Sequence, residues 1–209
     1  MTARVEQLVT SGTFSLDGQT SNVENNVWLL GDDDEVLVID APHDADAISA
    51  AVGGRRVVAI ACTHAHDDHV RFAPELADRL STQMLLHPDD RVLWSLTHAQ
   101  REPDGELREG MVLEVAGTTV HVLHTPGHAP GAVCFSVPDL SVVFSGDTLV
   151  SGGPGATGRP YSDYPTILDS IRTRLFTLPP ETVVHTDHGD DTTVGAEAPS
   201  YDKWVARGS

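Results

Sequence analysis

The chain has 209 residues, of which 40% are hydrophobic and 21% are charged, a composition that suits one globular domain over residues 1–209. Its 31 acidic residues outnumber its 13 basic residues and give a formal net charge of −18 at pH 7. This charge disfavours nucleic acid and anionic membrane surfaces as partners, so we expect a small-molecule substrate, and no pattern in the sequence predicts an oligomeric state.

The N-terminal residues and the cysteines bear on the compartment. The first residues lack the apolar core of a signal peptide, and no uninterrupted apolar span of about 18 residues occurs in the sequence. Cys62 and Cys134 lie in apolar, strand-like runs and form no Cys-x-x-Cys pair, so we expect buried free thiols rather than a disulfide. These features predict a soluble cytoplasmic protein.

The first half of the chain alternates between strand and helix patterns. Runs rich in apolar and β-branched residues predict strands at residues 4–16, 26–30, 35–40, 57–62 and 84–87. Apolar residues at helical spacing predict helices at residues 44–52, 72–80 and 89–96, with Asp44 as the N-cap of the first helix. Residues 98–109 are predicted to form a polar loop that could reach over a functional site.

The second half is richer in strand patterns. These predict strands at residues 112–115, 119–123, 132–137, 141–144 and 182–185. Helices are predicted at residues 164–178 and 201–206. Because strands are grouped in both halves and interleaved with helices, we predict an α/β (α+β) fold in which two mixed sheets pack face to face with helices outside.

The segment after the strand at residues 57–62 carries His64, His66, Asp67, Asp68 and His69 within six consecutive residues. Neutral imidazoles and carboxylates suit zinc and neighbouring divalent ions, and a catalytic metal site leaves a position for water beside its protein ligands. This density of ligands is typical of metal binding rather than of an acidic surface loop. The segment offers enough ligands for parts of two metal sites.

Three later segments place a metal-binding side chain beside a strand or a tight turn. His128 follows a Pro-Gly turn, Asp147 follows a strand that ends at Gly146, and His188 is followed by Gly189. Functional side chains are commonly carried at such strand ends, where loops are held by a rigid scaffold. These residues are therefore the candidates for the remaining ligands.

Together these motifs resemble a known family. The pattern His-x-His-x-Asp-His at residues 64–69 resembles the signature of the metallo-β-lactamase superfamily, metal-dependent hydrolases with an αββα sandwich. Thr-Pro-Gly-His at 125–128, Ser-Gly-Asp-Thr-Leu at 145–149 and His-Gly at 188–189 resemble, in order, the family's other ligand segments. The phrases Thr-Pro-Gly-His-Ala-Pro-Gly and Ser-Gly-Asp-Thr-Leu look most like the glyoxalase II type, which hydrolyses thioesters.

The resemblance implies two divalent metal ions, most simply Zn²⁺, with iron or manganese as substitutes. The first ion would be held by His64, His66 and His128. The second would be held by Asp68, His69 and His188. Asp147 would bridge the two ions, and Asp68 and Asp147 would be the catalytic carboxylates, with Asp68 orienting the attacking hydroxide.

The last ligand segment departs from the family pattern. The family usually has a glycine before the ligand histidine, whereas this sequence has Asp187 before His188. His185 lies inside the predicted strand and is predicted to be a buried, hydrogen-bonded structural residue. Asp187 or Asp190 could orient a ligand imidazole, and Asp40, at the end of its strand, could do the same or simply cap the turn that follows.

Two neighbouring divalent ions lower the pKa of a shared water and polarise a carbonyl oxygen, so no serine or cysteine nucleophile is needed. A thiolate then leaves without strong acid assistance. We therefore predict a dinuclear metal-dependent hydrolase that cleaves small acyl thioesters of a low-molecular-weight thiol. An iron-dependent persulfide dioxygenase and a lactonase or β-lactamase-type hydrolase of the same superfamily are the alternatives.

Predicted substrate contacts lie on the glycine-rich loop after Asp147, where Arg159, Tyr161 and Tyr164 occur. Arg159 suits a carboxylate on the thiol carrier, and the tyrosines could line its path. The glyoxalase II type usually carries a further C-terminal helical region that helps to hold glutathione, and no such region follows the last ligand segment here. The identity of the thiol carrier therefore stays open.

Overall fold

The computed structural model describes residues 2–208, and among them the N-terminal half supplies a six-stranded sheet, here called sheet 1. Its strands, in both chain and spatial order, are β1 (Arg4–Leu16), β2 (Gln19–Gly31), β3 (Glu35–Ile39), β4 (Arg56–Ala61), β5 (Met84–Leu86) and β6 (Gly105–Glu106). β1, β2 and β3 pair antiparallel, whereas β3 to β6 pair parallel. Sheet 1 is therefore mixed.

The remaining strands follow in the C-terminal half. They are β7 (Val112–Val115), β8 (Thr118–His124), β9 (Val133–Val137), β10 (Val142–Gly146), β11 (Leu149–Val150), β12 (Gly153–Pro154), β13 (Val183–Thr186) and β14 (Thr192–Thr193). β11 and β12 form a short antiparallel ribbon. The other six form sheet 2, in the order β14-β13-β10-β9-β8-β7 within the described residues, and the β10–β13 pair is parallel.

Helices cover the outer faces of both sheets. They are α1 (Ala45–Val52), α2 (Asp67–Val70), α3 (Ala73–Leu80), α4 (Arg91–Thr97), α5 (Tyr164–Ser170), α6 (Val194–Glu197) and α7 (Tyr201–Arg207). Apolar residues of α1, α3 and α4 pack on sheet 1, and those of α5 and α7 pack on sheet 2. No helix in the described part of the chain is long and apolar enough to cross a membrane.

The alternation of side chains along β2 shows how the layers are built. Val27 and Leu29 lie in the core between sheet 1 and its helices, whereas Trp28 and Leu30 lie in the core between the two sheets. Successive strand residues point to opposite faces, so a continuous apolar run fills two cores at once. The predicted αββα sandwich is confirmed.

Two predicted elements differ from the structure by more than two residues. β2 begins at Gln19 rather than at residue 26, so β1 and β2 form a long hairpin of thirteen residues on each strand. Residues 19–25 are mostly polar and exposed, which removes the hydrophobic signal of a strand. The helix predicted over residues 164–178 is α5 followed by a π-helical turn at Ile171–Leu175.

Other local predictions are confirmed. The Asp44 carboxylate accepts a 2.9 Å hydrogen bond from the Ala47 amide and caps α1. Cys62 and Cys134 are buried free thiols. In contrast, the segment predicted as a polar loop over residues 98–109 contains β6 and the buried Leu107, so it closes the edge of sheet 1 instead of reaching over the site.

Candidate metal centre

Candidate ligands from four parts of the chain meet at one edge of the sandwich. His64 and His66 lie on the loop that follows β4, and Asp68 and His69 lie on the short helix α2 that continues it. The remaining three follow strands of sheet 2, and they are His128, Asp147 and His188. Parallel β10 and β13 end at the same edge, which places the last two side by side.

Close backbone packing fixes the loops after β8 and β10. Gly127 has φ 133°, and a Cβ on it would lie 2.2 Å from the Ile167 amide nitrogen. Gly146 has φ 52°, and a Cβ there would lie 2.8 Å from the Thr63 side chain. Only glycine satisfies both the backbone angle and the available space. The motif glycines therefore hold the ligand loops against the rest of the fold.

Three imidazoles converge in the first triad, His64, His66 and His128. The His66 Nδ1 atom lies 3.0 Å from His64 Nε2 and 3.0 Å from His128 Nε2. All three side chains are buried. Tetrahedral zinc with Zn–N distances of about 2.0–2.1 Å separates its ligand atoms by about 3.4 Å, close to this spacing.

Hydrogen bonds behind the rings set the tautomers of the first triad. His128 Nδ1 lies 2.7 Å from the Ala156 carbonyl oxygen and donates to it. His64 Nδ1 lies 3.1 Å from Thr63 Oγ1, which donates its own proton to Asp40 and so accepts from the histidine. Both rings therefore present the Nε2 lone pair to the centre. A single proton cannot satisfy three converging nitrogens, whereas a cation can.

The second triad, Asp68, His69 and His188, is more open. Asp68 Oδ2 lies 3.7 Å from His69 Nε2 and 3.5 Å from His188 Nε2. The His188 side chain is 30% exposed, whereas His69 is buried. His188 Nδ1 donates to the Glu24 carbonyl oxygen at 2.8 Å, so this ring too turns Nε2 towards the centre.

The Asp147 carboxylate lies between the two triads. One oxygen, Oδ2, is 3.3 Å from His128 Nε2 and 3.9 Å from His69 Nε2. The other, Oδ1, is 3.6 Å from His188 Nε2, is buried, and accepts no hydrogen bond from residues 2–208. A buried carboxylate oxygen without a hydrogen bond is costly unless a cation faces it. The donor set thus fits divalent ions on both sides of Asp147.

Two further carboxylates support His69 from behind. Asp40 Oδ2 lies 2.8 Å from His69 Nδ1, and Asp187 Oδ2 lies 3.3 Å from the same atom. Asp40 also accepts hydrogen bonds from the Thr63 amide and hydroxyl, at 2.7 and 2.6 Å. Asp40 has φ 60°, a left-handed conformation that aspartate tolerates better than most residues. The structure therefore shows Asp40 contacting a candidate ligand, as one of its two predicted roles required.

Asn25 and His43 complete the surroundings of the second triad. The Asn25 Nδ2 group donates to the Asp68 carbonyl at 2.9 Å and lies 3.3 Å from Asp68 Oδ2. The Asp68 carbonyl can only accept, which sets the amide orientation, and Asn25 Oδ1 then lies 3.1 Å from His43 Nε2. The same Nδ2 is 3.5 Å from His69 Nε2 and 3.4 Å from His188 Nε2. Asn25 thus contacts all three members of the second triad.

Electrostatics differ between the triads. Burial, reinforced by the neighbouring imidazoles, lowers the pKa of His64 well below its ordinary value and lowers the pKa of His66 to about 3. Burial also lowers the pKa of His128, although the Asp147 charge opposes the shift. The first triad is therefore neutral at pH 7, as metal binding requires.

In the second triad carboxylates outweigh burial. Burial alone would lower the pKa of His188, but Asp147 and the hydrogen bond to Asp68 raise it to about 9. Burial would also lower the pKa of His69, but Asp68, Asp187 and Asp40 raise it above its ordinary value. Without a cation, this half of the centre holds protons on its imidazoles instead.

The pocket in front of the cluster has a volume of about 200 Å³, and the three residues predicted to contact substrate differ in their positions relative to it. Arg159 lines it, with its guanidinium carbon 4.5 Å from the Phe14 ring centre. Tyr164 does not: its hydroxyl donates to the Trp204 carbonyl at 3.0 Å and its ring packs among the outer helices, because it begins α5. Tyr161 is 48% exposed and lies outside the pocket lining, as does the loop at residues 98–109.

His185 occupies the position predicted for a structural histidine. Its ring packs between Trp28 and Phe144, with ring centres 4.4 and 5.2 Å away. Its Nδ1 atom lies 2.7 Å from Asp191 Oδ2. His185 is therefore turned away from the triads, and Asp187 rather than Asp190 contacts a candidate ligand, His69.

Several residues of the centre were not found from the sequence, among them Asn25, Phe14 and Asp90. Asn25 lies at the end of a polar stretch without a strand pattern, just before the predicted strand at residues 26–30. Asp90 is buried and accepts hydrogen bonds from the Ala65 and Gly131 amides, joining the two ligand loops. Burial outweighs these hydrogen bonds and raises its pKa to about 6.

Comparisons with known proteins agree with this geometry. A family model for the metallo-beta-lactamase superfamily matches residues 22–188. The hydroxyacylglutathione hydrolase GloC of Haemophilus influenzae is 30% identical over 190 residues, which cover 83% of this chain and 90% of the relative.

Two solved structures share the fold over most of their length. TTHA1623, crystallised in a di-iron-bound form, is 34% identical with a TM-score of 0.75, covering 90% of this chain and 96% of that one. The B3 metallo-beta-lactamase BLEG-1 is 28% identical with a TM-score of 0.78, covering 94% and 100%. Members of the superfamily are generally metal-dependent hydrolases, and the His/Asp cluster described above is a site for divalent metal. The chain belongs to the metallo-β-lactamase superfamily.

Proposed function

We propose that this protein is a dinuclear metal-dependent hydrolase that cleaves small acyl thioesters of a low-molecular-weight thiol. The observation that carries the proposal is the position of Asp147. Its two oxygens face ligands of different triads, at 3.3 Å from His128 and 3.6 Å from His188. A carboxylate so placed can bridge two ions.

Seven side chains would hold the two ions, most simply zinc. The first triad with Asp147 would hold one ion, and the second triad with Asp147 the other. Two divalent ions supply an activated water at neutral pH and polarise a carbonyl oxygen. Three protein ligands and a shared carboxylate per ion leave positions open for water and substrate. The di-iron form of the relative TTHA1623 leaves iron as an alternative to zinc.

The protein's own groups prepare the site. Burial keeps the first triad neutral, so its nitrogens are available as ligands. The pKa of the Asp68 carboxyl is held well below its usual range, since the charge of His69 and hydrogen bonds with His188 and Asn25 outweigh burial. Asp68 therefore stays ionised over the physiological range and can accept a proton from, and so orient, an attacking water.

Two observations favour a thioester. Outside the ligand cluster, Arg159 is the single titratable side chain among the described residues that line the pocket, so no dedicated proton donor faces a leaving group. Hydrolysis adds water across the C–S bond, and the thiolate produced is a weak enough base to leave without such a donor. A relative at 30% identity, named a hydroxyacylglutathione hydrolase, supports the same chemistry.

The charge of the chain supports an accompanying proposal on partners. With a net charge of −18, we propose a small-molecule substrate rather than nucleic acid or a membrane surface. We also propose that it acts in the cytoplasm as one domain over residues 1–209, of which residues 1 and 209 lie outside the described part.

Metal analysis combined with a substrate panel tests the function. Protein loaded with zinc or with iron should contain two equivalents of metal and should hydrolyse acyl thioesters faster than lactones or a nitrocefin-like lactam. One equivalent or less, without recovery on adding metal, would contradict the dinuclear site. Oxygen uptake with a persulfide, confined to the iron form and without thioester turnover, would assign a dioxygenase instead. Lactone or lactam turnover without thioester turnover would assign the corresponding hydrolase.

A further inference from the structure

Two grooves leave the metal centre in different directions. The first, here called the leucine groove, has a volume of about 410 Å³ and is lined by Leu16, Leu93 and Leu96 together with Ala65 and His66. Leu16 comes from the β1–β2 hairpin, whereas Leu93 and Leu96 come from α4. His66 also lines the pocket in front of the cluster, so the leucine groove opens directly beside the first triad.

The second groove, here called the arginine groove, has a volume of about 330 Å³ and is lined by Phe14, Ser21 and Arg159, among others. These three residues also line the pocket in front of the cluster. Leu16 and Asp17 line both grooves, so the tip of the hairpin stands between them. A bound molecule reacting at the centre can therefore extend one arm into each groove.

Charge distinguishes the grooves. Among the described residues, the lining of the leucine groove contains no lysine or arginine; its acidic residues are Asp17, which also lines the arginine groove, and Asp67, which forms an ion pair with Arg71. In the arginine groove the Arg159 guanidinium lies over the Phe14 ring and makes no ion pair with any residue in the part of the chain that the structure describes. In a protein of net charge −18, an unpaired guanidinium beside the active centre is the group that can recognise an anion.

Exposure supports an apolar occupant of the leucine groove. Leu96 is 62% exposed, although Leu93 beside it is buried. Covering an exposed leucine with an aliphatic chain removes apolar surface from water and is favourable in proportion to the area covered. Among the described residues the lining offers no cation to an anionic arm, since the nearby Arg71 guanidinium is already paired with Asp67, so an uncharged aliphatic group fits this groove better than an anionic one.

Resting on the proposed thioesterase function, we propose that the hairpin tip divides the substrate, with an aliphatic acyl chain in the leucine groove and a carboxylate-bearing thiol carrier against Arg159. The preferred substrates are then thioesters with acyl chains of several carbons on an anionic carrier. The acyl carbonyl lies between the two arms, in the pocket in front of the cluster. Leu96 and Arg159 determine specificity and take no part in the chemistry.

Binding of thioethers tests this division without requiring turnover. The probes are S-ethyl and S-hexyl thioethers of 3-mercaptopropionate and of its neutral counterpart 3-mercaptopropanol, titrated calorimetrically into zinc-loaded protein. The wild type should bind the hexyl probe about tenfold more tightly than the ethyl probe, because four more methylenes are covered. It should bind the carboxylate about threefold to tenfold more tightly than the alcohol.

Two variants separate the arms. Leu96→Ser should reduce the preference for hexyl over ethyl by about fivefold and leave the preference for the carboxylate unchanged. Arg159→Gln should abolish the preference for the carboxylate and leave the chain-length preference unchanged. Val92→Ser, at a 40% exposed position of α4 outside the groove, and Arg172→Gln, at a surface ion pair with Asp169, are the matched controls and should bind as the wild type does.

Equal binding of ethyl and hexyl probes by the wild type would overturn the division, as would a loss of carboxylate preference in Leu96→Ser. A parallel assay of the corresponding thioesters separates this proposal from the proposed function. Thioether preferences as expected with no thioester hydrolysis would overturn the function and keep the grooves. Thioester hydrolysis with no effect of either variant on selectivity would keep the function and overturn the grooves.

Discussion

The two halves of the metal centre use opposite electrostatics. The first triad consists of buried histidines whose low pKa values follow from burial and from one another. The second triad is surrounded by carboxylates, and the pKa values of its histidines are raised. The first half is therefore ready to bind an ion without losing protons, whereas the second must release protons when its ion binds.

The cause of this difference lies in the scaffold rather than in the ligands. Burial against the Phe14 ring and the Ala156 carbonyl gives the first triad mostly uncharged neighbours, although the Asp147 carboxylate contacts His128. Asp40 and Asp187 place two carboxylates directly behind His69. The pKa values of His66 and His69, which are close in the sequence, are thus shifted in opposite directions by residues far away in the chain.

The largest expected effect is that of removing the carboxylate shared by both halves. Asp147→Ala should lower kcat/KM for a thioester by about a thousandfold, because both ions lose a ligand and the distance between them is no longer fixed. Metal content and kinetics together measure this. Asp191→Ala, which removes a surface carboxylate bonded to His185, is the control and should retain both ions. Full activity with two bound ions in Asp147→Ala would contradict the bridging role.

The next effect separates the two histidines of the last ligand segment. His188→Ala should lose the second equivalent of metal and keep the first, since the His188 Nε2 atom lies beside Asp68 and Asp147 and belongs to the second triad. His185→Ala should keep both ions but lower the melting temperature, because it leaves a cavity between Trp28 and Phe144. Metal analysis and thermal unfolding of both variants decide. Metal loss in His185→Ala alone would reverse the assignment.

Acidification should also separate the halves. Below a pKa of about 9 His188 carries a proton in the metal-free protein, and the pKa of His69 is raised as well, so binding of the second ion weakens by at least about tenfold for each pH unit below 9. With its pKa at about 3, His66 competes with no proton over the same range. Equilibrium dialysis between pH 9 and pH 6 should show loss of the second equivalent first. Parallel loss of both ions would show that the triads are not electrostatically distinct.

The ligands could be predicted from the sequence because metal chemistry depends on residue type and on local spacing. His64, His66 and His69 lie close in the chain, so their convergence needs only a strand end and one helical turn. The sandwich could be predicted for a related reason, since apolar runs such as residues 27–30 must be covered on both faces.

Positions that depend on side-chain direction could not be predicted in this way. Arg159 and Tyr164 lie on one glycine-rich segment, yet Arg159 lines the pocket in front of the cluster and Tyr164 packs on Trp204, because α5 begins at Tyr164. Asn25 was missed because the polar outer half of β2 carries no hydrophobic period. The pairing of strands that are distant in the sequence places Asn25 beside the second triad, and a local sequence pattern does not indicate such pairing.

The smallest expected effect is that of replacing Asn25, which should change metal binding by the second triad and leave metal binding by the first triad unchanged. Its amide contacts all three members of the second triad and none of the first among the described residues. Asn25→Ala removes a hydrogen bond that holds Asp68 in place, and the loss of such supporting partners typically weakens metal binding by about tenfold or more.

We expect about tenfold weaker binding of the second ion and unchanged binding of the first in Asn25→Ala, measured by competition with a chromophoric chelator. Asn22→Ala, an exposed position on the same strand, is the matched control and should bind both ions as the wild type does. The effect is expected at the second ion because the Asn25 Nδ2 atom lies 3.4 Å from His188 Nε2 and 3.3 Å from Asp68 Oδ2. If Asn25→Ala weakens the binding of both ions equally, the two triads are coupled through Asp147, and their separate surroundings do not make them independent.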